Sequence, residues 1–224
     1  QVISIDYSTP NGQDDTATLL RTLKDRFKSG LDDAVVDVLP IRRPPESNLR
    51  SAVVAVAPRE RVIAHLDLLQ SAGLEPIAVD IGPAALARVA RALVTGDPRA
   101  NQLIINFGAR HSYLTLLWGR RLMFDRSLDF GEAHLADTLA RNLDLPAERA
   151  LALLRKHGLP SRGDEISSTI VELLQPDFQQ LAHEVARVLI YFASQTHGGS
   201  VDGIYICGSI ARLDGAAEFI GRLR

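Results

Sequence analysis

The chain has 224 residues, of which 46% are apolar and 23% are charged, and its formal net charge is −2. These values are typical of a globular protein with one large domain or two small ones, and they show no electrostatic footprint for nucleic acid. The single cysteine excludes a disulfide framework, and no apolar run approaches the roughly 20 residues that a membrane-spanning helix needs.

The first part of the chain alternates predicted strands and helices. Pro40 predicts an edge strand or a strand end, because proline cannot donate to a sheet ladder. The helix after residue 58 should turn Val62, Ile63, Leu66 and Leu69 inward and end at Gly73. The predicted strands are 2–7, 34–41, 51–57 and 76–81, and the predicted helices are 16–27, 59–72 and 83–95. We expect the domain boundary at residues 96–98, where glycine, aspartate and proline interrupt the pattern.

The second part opens with "NQLIINFGARHSYLTLLWGRRLMFDRSLDFG", residues 101–131, which predicts three strands joined by a glycine loop and a tight turn. Its last strand, "GIYIC", is apolar throughout and predicts a buried strand before a glycine loop and a terminal helix. The predicted helices between them are 132–143, 146–158 and 177–196. The alternation of strands and helices predicts the α/β class.

Two loops have the chemistry of an anion or nucleoside site. Glycine at 108 would let backbone N–H groups approach a phosphate, with Ser112 adding a hydroxyl donor. Gly208 and Ser209 follow a strand and precede a helix, which is a second natural anion site. Each loop alone is also explained as a structural turn that requires a small residue, and both interpretations stay open at this point.

Three acids cluster near the end of one predicted strand, namely Asp125, Asp129 and Glu132. We expect solvated carboxylates at a strand–helix junction, with a metal site as the alternative. Cys207 ends an apolar strand and is expected to be a core thiol rather than a nucleophile. The histidines show no metal-ligand spacing.

The order of the segments resembles the PilM family of type IV pilus assembly proteins, within the actin-like ATPases that include FtsA. The chain also resembles MshI of mannose-sensitive haemagglutinin pili, a relative of PilM. The matching words run from about residue 15 to residue 224, and they are "LDDAVVDVLPI", "AVVAVAPRERVIAHLDLLQSAGLEPIAVDIGPAALARV", "LIINFGARHSYLTLLWGRRLMFDRSLDFGEAHLADTLA", "LARNLDLPAERALALLRKHG", "FQQLAHEVARVLIYFASQ" and "GIYICGSIARLDGAAEFI".

This resemblance implies an actin-like, ribonuclease H-like fold in two parts. Residues 1–98 would hold an incomplete first lobe with a small inserted α/β subdomain, and residues 99–224 would form the second lobe. The chain begins at Gln1 rather than Met, so we expect that the natural start lies upstream. The resemblance places six residues in the two nucleotide loops, namely Asn106, Gly108, Ser112, Gly208, Ser209 and Ala211.

Several positions depart from the family's nucleotide-binding pattern. Asn106 replaces the acid that opens the second phosphate loop, and a neutral amide cannot offset Mg²⁺ charge. The positions that hold the nucleoside correspond to Ala150, Leu151 and Leu154, and leucine cannot bond a ribose hydroxyl. We expect the two leucines to pack together and narrow the cleft. Losing these charge-assisted bonds, each worth roughly 1.5–3 kcal/mol, would move ATP binding from micromolar to millimolar.

The resemblance therefore implies a non-catalytic scaffold of pilus biogenesis at the cytoplasmic face of the inner membrane. Its expected partners are the cytoplasmic tail of a PilN-like membrane protein and other pilus assembly proteins, with no cofactor, no metal and no nucleic acid. One alternative is a working ATPase that binds ATP with Mg²⁺ through a first phosphate loop encoded upstream. Another is the cytoplasmic domain of a GspL-like protein of type II secretion.

Overall fold

In the computed structural model of the protein, the described residues are 2–7, 15–26, 31–41, 50–93, 97, 99–119, 121–159 and 164–222. The chain divides into two compact units, one of Gln1–Pro98 with Arg120–Asp125, and one of Arg99–Gly119 with Arg126–Arg224. Within the described residues, none of the helices combines the length and the apolar character that crossing a membrane would require.

The first unit contains a three-stranded antiparallel sheet whose order is β1-β3-β2. One face of this sheet packs on α1 around a core that includes Ile5, Leu19, Leu23 and Val54. Pro40 lies in β2, at an edge of the sheet, as its sequence predicted. The elements are β1 (Val2–Tyr7), α1 (Asp15–Arg26), β2 (Ala34–Ile41), β3 (Arg50–Pro58), α2 (Arg59–Ser71) and α3 (Gly82–Leu93).

Two sequence predictions for this unit are wrong. Residues 76–81 form no strand, and Ile77 is fully exposed while Val79 is more than half exposed. β-Branched residues favour a pleated, half-buried surface, but none of the strands that the structure describes supplies backbone partners there. Helix α2 has no buried residue, and Ile63 is 49% exposed, so its apolar stripe does not enter a core.

The second sheet has four strands in the order β6-β5-β4-β7. β4 pairs antiparallel with β5 and parallel with β7, so β4 is central and β7 lies at the edge among the described residues. The elements are β4 (Gln102–Phe107), β5 (Ser112–Trp118), β6 (Arg121–Leu128), α4 (Glu132–Leu143), α5 (Ala147–His157), α6 (Glu165–Gln195), β7 (Gly203–Gly208) and α7 (Ala216–Gly221).

Aromatic rings join the helices of the second unit to the end of β4. Phe130 packs 6.1 Å from Phe107 and 5.6 Å from Phe178, and Phe178 meets Phe219 edge-on at 4.9 Å. Such tilted and edge-on pairs add roughly 0.5–1.5 kcal/mol each beyond their burial. The chain of rings therefore connects β4, the segment before α4, α6 and α7.

Two elements of this unit differ from the sequence prediction. α6 begins at Glu165 and runs 31 residues through Pro176, whereas the pattern predicted a start near residue 177. The proline removes one backbone bond, while buried Ile170 and Leu174 extend the apolar stripe on its other side. β7 was predicted to be buried, yet Ile204 is 49% and Tyr205 40% exposed, because β7 has only one described neighbour.

Candidate functional site

The two predicted loops lie side by side where β4 and β7 end. The strands run parallel, with Asn106 opposite Cys207 and Phe107 opposite Gly208. Their carboxyl ends therefore meet at one edge of the sheet, which is where open α/β sheets bind ligands. The structure brings together Asn106, Gly108, Gly208 and Ser209, and it places Ala211 in the short 3₁₀ turn Ile210–Arg212 that follows.

Both loop glycines are required by close backbone contacts. A Cβ at Gly208 would lie 2.1 Å from the carbonyl oxygen of Phe107, and the backbone there is left-handed with φ of +90°. A Cβ at Gly108 would lie 2.3 Å from the carbonyl oxygen of His111. Gly208 therefore permits the second loop to approach the end of β4, and Gly108 permits the first loop to turn tightly.

The hydroxyl of Ser209 ties the two loops together. Its Oγ donates toward the carbonyl oxygens of Phe107 at 3.1 Å and Gly108 at 3.0 Å, while its N–H donates to the Phe107 carbonyl at 2.7 Å. Both Ser209 donors therefore point at the end of β4. In this arrangement the side chain closes the loop junction and is not directed at an external anion.

Ser112, the other predicted hydroxyl donor, lies inside the unit. It is fully buried, and its Oγ donates to the Phe130 carbonyl at 2.6 Å. This bond joins the start of β5 to the segment that leads into α4. Here too the donor that a phosphate would use is engaged within the fold.

The first turn of α4 is occupied by the same loop. The N–H of Glu132 donates to the Gly108 carbonyl at 3.3 Å, and that of Ala133 to the Ala109 carbonyl at 2.8 Å. Helix N-termini attract anions through unpaired N–H groups of the first turn. Two of those groups on α4 are already paired.

Glu132 is a buried carboxylate held by an arginine of α5. Arg155 donates from Nε to Oε1 and from Nη2 to Oε2, both at 2.7 Å. This two-point bond, together with the positive charges of Arg155 and Arg212, lowers the pKa of Glu132 below its usual range against the opposing effect of burial. The ion pair joins α4 to α5 directly beneath the loops.

The expectation of solvated acids at this junction is wrong for two of the three residues. Glu132 is 5% and Asp125 9% exposed, because the strand end and the helix start face the interior. Asp129 is exposed and lies 3.0 Å from His111 Nδ1. Within the part of the chain that the structure describes, no group of three or more His, Cys, Asp or Glu side chains could hold a metal ion.

The positions that correspond to the family's nucleoside contacts lie on α5. Ala150 and Leu154 are fully buried, and Leu151 is partly buried. Leu154 therefore belongs to the core of the unit. Across the β4–β7 pair, the Cys207 thiol lies 3.6 Å from Asn106 Oδ1, and partial burial raises the pKa of that thiol. Cys207 is only partly buried, so the expectation of a core thiol is met in part.

A second candidate site, which the sequence analysis missed, lies in the first unit. The sheet face opposite α1 forms an apolar groove of about 390 Å³ with residues 79–81, α2 and α3 along its sides. Val35, Asp37 and Leu39 of β2 face this groove, and Asp80 on its rim forms an ion pair with Arg88 of α3. The signal was present in β2, because "AVVDVLPI" is apolar at every position except Asp37, as expected of a strand covered on both faces.

The chain matches one protein family over most of its length. Residues 27–223 fit the sequence profile of the family described as type IV pilus assembly protein PilM. The likeness predicted from the six sequence segments is confirmed by this match.

Solved structures give the same fold. A chain of a PilM–PilN type IV pilus biogenesis complex matches with a TM-score of 0.76 at 22% identity, over 100% of this chain and 63% of that one. The ethanolamine utilization protein EutJ from Carboxydothermus hydrogenoformans matches with a TM-score of 0.54 at 20% identity, over 70% of this chain and 52% of that one. MreB 5 of Spiroplasma citri, bound to AMPPNP, matches with a TM-score of 0.52 at 16% identity, over 70% of this chain and 55% of that one.

These matches confirm the predicted actin-like α/β fold, and the chain spans 63% of the length of the chain that it matches in the PilM–PilN complex. The chain belongs to the PilM family of type IV pilus assembly proteins.

Proposed function

We propose that the protein is a non-catalytic scaffold of type IV pilus assembly that binds the cytoplasmic tail of a PilN-like membrane protein. The observation that carries this proposal is the use of the loop donors by the protein itself. The hydroxyls of Ser112 and Ser209 and two N–H groups of α4 all bond to backbone carbonyls. A triphosphate would have to break those bonds before it could replace them.

The leucines of α5 support the same conclusion. Leu154 fills the core, and neither it nor Leu151 can bond a ribose. Asn106 offers no charge to a magnesium ion. The ATPase hypothesis depends on a first phosphate loop upstream, so calorimetric titration of the full-length protein with ATP and Mg²⁺ tests it directly. We expect no micromolar affinity, and micromolar binding would overturn the scaffold proposal.

The groove of the first unit is the place that we assign to the tail. An extended peptide gains affinity from apolar anchors and from main-chain bonds to an exposed strand edge. β2, an edge strand among the described residues, offers both, because its Val35 and Leu39 side chains are 38% and 41% exposed. Cytoplasmic segments close to a membrane span carry an excess of Lys and Arg, and Asp37 adds a complementary charge.

Binding such a tail would place the protein at the cytoplasmic face of the inner membrane through its partner. The similarity to a protein solved as a PilM–PilN complex supports a partner of this kind. We also infer that the first unit is part of the first actin-like lobe with its inserted subdomain, and that the second unit is the second lobe. The family match favours pilus assembly over the GspL-like alternative.

The test is capture of cytoplasmic tails by the immobilised protein. Synthetic tails of inner-membrane pilus and secretion proteins from the same genome are the probes. Leu39→Glu puts a charge in the groove and should abolish capture, whereas Leu68→Glu, on an exposed side chain of α2 outside the groove, should not. Failure of every pilus tail to bind, or equal capture by the Leu39 variant, would contradict the proposal.

A further inference from the structure

A pocket rich in arginine continues from the tail groove. It measures about 310 Å³ and shares Leu39, Ala84 and Arg88 with the groove. Arg91 of α3 and Arg121 at the start of β6 complete its charged lining. The pocket and the groove therefore form one continuous surface of the first unit, with Asp37 in the groove and Arg91 and Arg121 in the pocket.

Two of the three arginines that line this pocket have no ion-pair partner among the described residues. Arg88 is paired with Asp80, but within the described ranges no ion pair or hydrogen bond engages Arg91 or Arg121. Arg88 and Arg91 stand three positions apart on α3, so they are neighbours on its surface and repel each other. The whole chain has a net charge of −2, which makes this local positive surplus a departure from the general balance.

Guanidinium groups around a concave surface are suited to a carboxylate. Each can donate two parallel N–H bonds to its two oxygens, and that geometry is both stronger and more specific than a bond from an ammonium group. Arg88 already forms an ion pair with one carboxylate, that of Asp80. The walls also contain Leu39, Pro40 and Leu122, so an occupant would bring apolar and acidic groups together.

We infer that this pocket binds an acidic residue of the partner tail, next to the apolar segment that fills the groove. This inference rests on the proposed function and adds to it the chemistry and the direction of the tail. Basic residues of the tail would lie toward Asp37, and its acidic residue toward Arg91 and Arg121. The opposite charges of Asp37 and of Arg91 with Arg121 thus favour one orientation of the peptide.

An anionic membrane surface is the competing occupant, and the structure favours the peptide. Membrane-binding basic patches contain about four to eight Lys or Arg residues on an open surface. Here three arginines surround a concavity, one of them is already paired, and apolar side chains line the walls. The pocket also continues a groove that is suited to an extended chain.

The test sorts a displayed library of ten-residue peptides against the full chain. The variant is Arg91→Gln with Arg121→Gln, and the matched control is Arg61→Gln with Arg149→Gln, which changes two exposed arginines elsewhere. Wild type and control should enrich peptides with an Asp or Glu beside an apolar run. The variant should keep the apolar preference and lose the acidic one.

Affinities measured on one enriched peptide make the result quantitative. A version of this peptide with Asn in place of Asp should bind wild type about tenfold more weakly at low salt than the original peptide does, as expected for loss of a charge-assisted bond. The double arginine variant should bind both peptides with equal affinity. Enrichment of apolar peptides without acids would overturn this inference but leave the groove proposal standing. Absence of any enrichment, in wild type as in Leu39→Glu, would overturn both.

Co-sedimentation with phosphatidylglycerol vesicles separates the membrane alternative. We expect wild type and the double variant to behave alike. Binding by wild type that the double variant loses would assign the arginines to lipid headgroups and overturn the inference. Thermal unfolding of wild type, the double variant, its control and Leu39→Glu should show that all four proteins are equally folded, because the substituted side chains are exposed.

Discussion

Arg155 holds Glu132 through two parallel hydrogen bonds of 2.7 Å, and the two residues differ sharply in exposure. The Glu132 side chain is 6% exposed, whereas that of Arg155 is 55% exposed. The carboxylate is therefore the buried partner, and it depends on the arginine for its compensation. Removing Glu132 and removing Arg155 should therefore lower the stability by different amounts.

Glu132→Gln should destabilise the protein by about 1–3 kcal/mol, because it replaces a charge-assisted bond with a weaker one. Arg155→Gln should destabilise it more, since it removes both hydrogen bonds from a buried carboxylate and leaves it only the charge of Arg212. Urea unfolding of both variants measures the difference. Arg149→Gln on the exposed side of α5 is the control and should be neutral, and equal effects of the first two variants would contradict this account.

The same ion pair makes a signed prediction for acid. The bonds to Arg155 lower the pKa of Glu132, so its contribution is fully present above the unfolded glutamate pKa of about 4.3. That contribution should be lost as the pH falls through the lower folded-state pKa. Stability measured from pH 7 to pH 3 should decline more steeply in wild type than in Glu132→Gln, and parallel curves would show that the pair is not linked to protons.

Gly208→Ala should be far more costly than its backbone angle alone requires. A left-handed φ costs a non-glycine residue roughly 1–2 kcal/mol, and the contact with the Phe107 carbonyl would add roughly 1–3 kcal/mol more. Gly198→Ala is the matched control, because its φ is +95° and a Cβ there meets nothing within 4 Å. Unfolding free energies of the two variants should differ by the contact term, and similar values would argue against the close approach of the loops.

Ser112→Ala should lower stability and leave nucleotide affinity unchanged. The substitution leaves the buried Phe130 carbonyl without its donor, at a cost of roughly 1–3 kcal/mol. Ser127→Ala, at an exposed position of β6, should have little effect. Urea unfolding and ATP calorimetry on the same samples provide both measurements. A selective loss of ATP binding without loss of stability would assign Ser112 to a phosphate site instead.

The sequence was sufficient wherever local chemistry and tertiary packing agree. Helix α4 was predicted at its observed bounds, because its apolar period is clear and Gly131 precedes it. Pro146 and Gly158 flank α5 in the same way. The two glycine loops were recognised from the strand–glycine–helix pattern, and parallel pairing of β4 with β7 then brings them together.

Other features depend on neighbours that a linear pattern does not contain. Residues 76–81 have strand-forming side chains, but a strand requires a partner for its backbone groups. Ser112 has the same hydroxyl whether it faces a ligand or the Phe130 carbonyl, so its burial could not be deduced. Glu132 and Arg155 lie 23 positions apart in sequence, and their ion pair joins α4 to α5. Nothing in the local pattern of either helix specifies this pairing.

β7, which has one neighbouring strand among the described residues, has a consequence for handling the protein. Its sequence, "GIYICG", contains no charged residue and no proline, which are the devices that natural edge strands use against aggregation. Ile204 and Tyr205 add exposed apolar surface along it. Strands of this composition pair readily with copies of themselves, so concentrated solutions of this chain should form β-rich aggregates unless another polypeptide segment caps that edge.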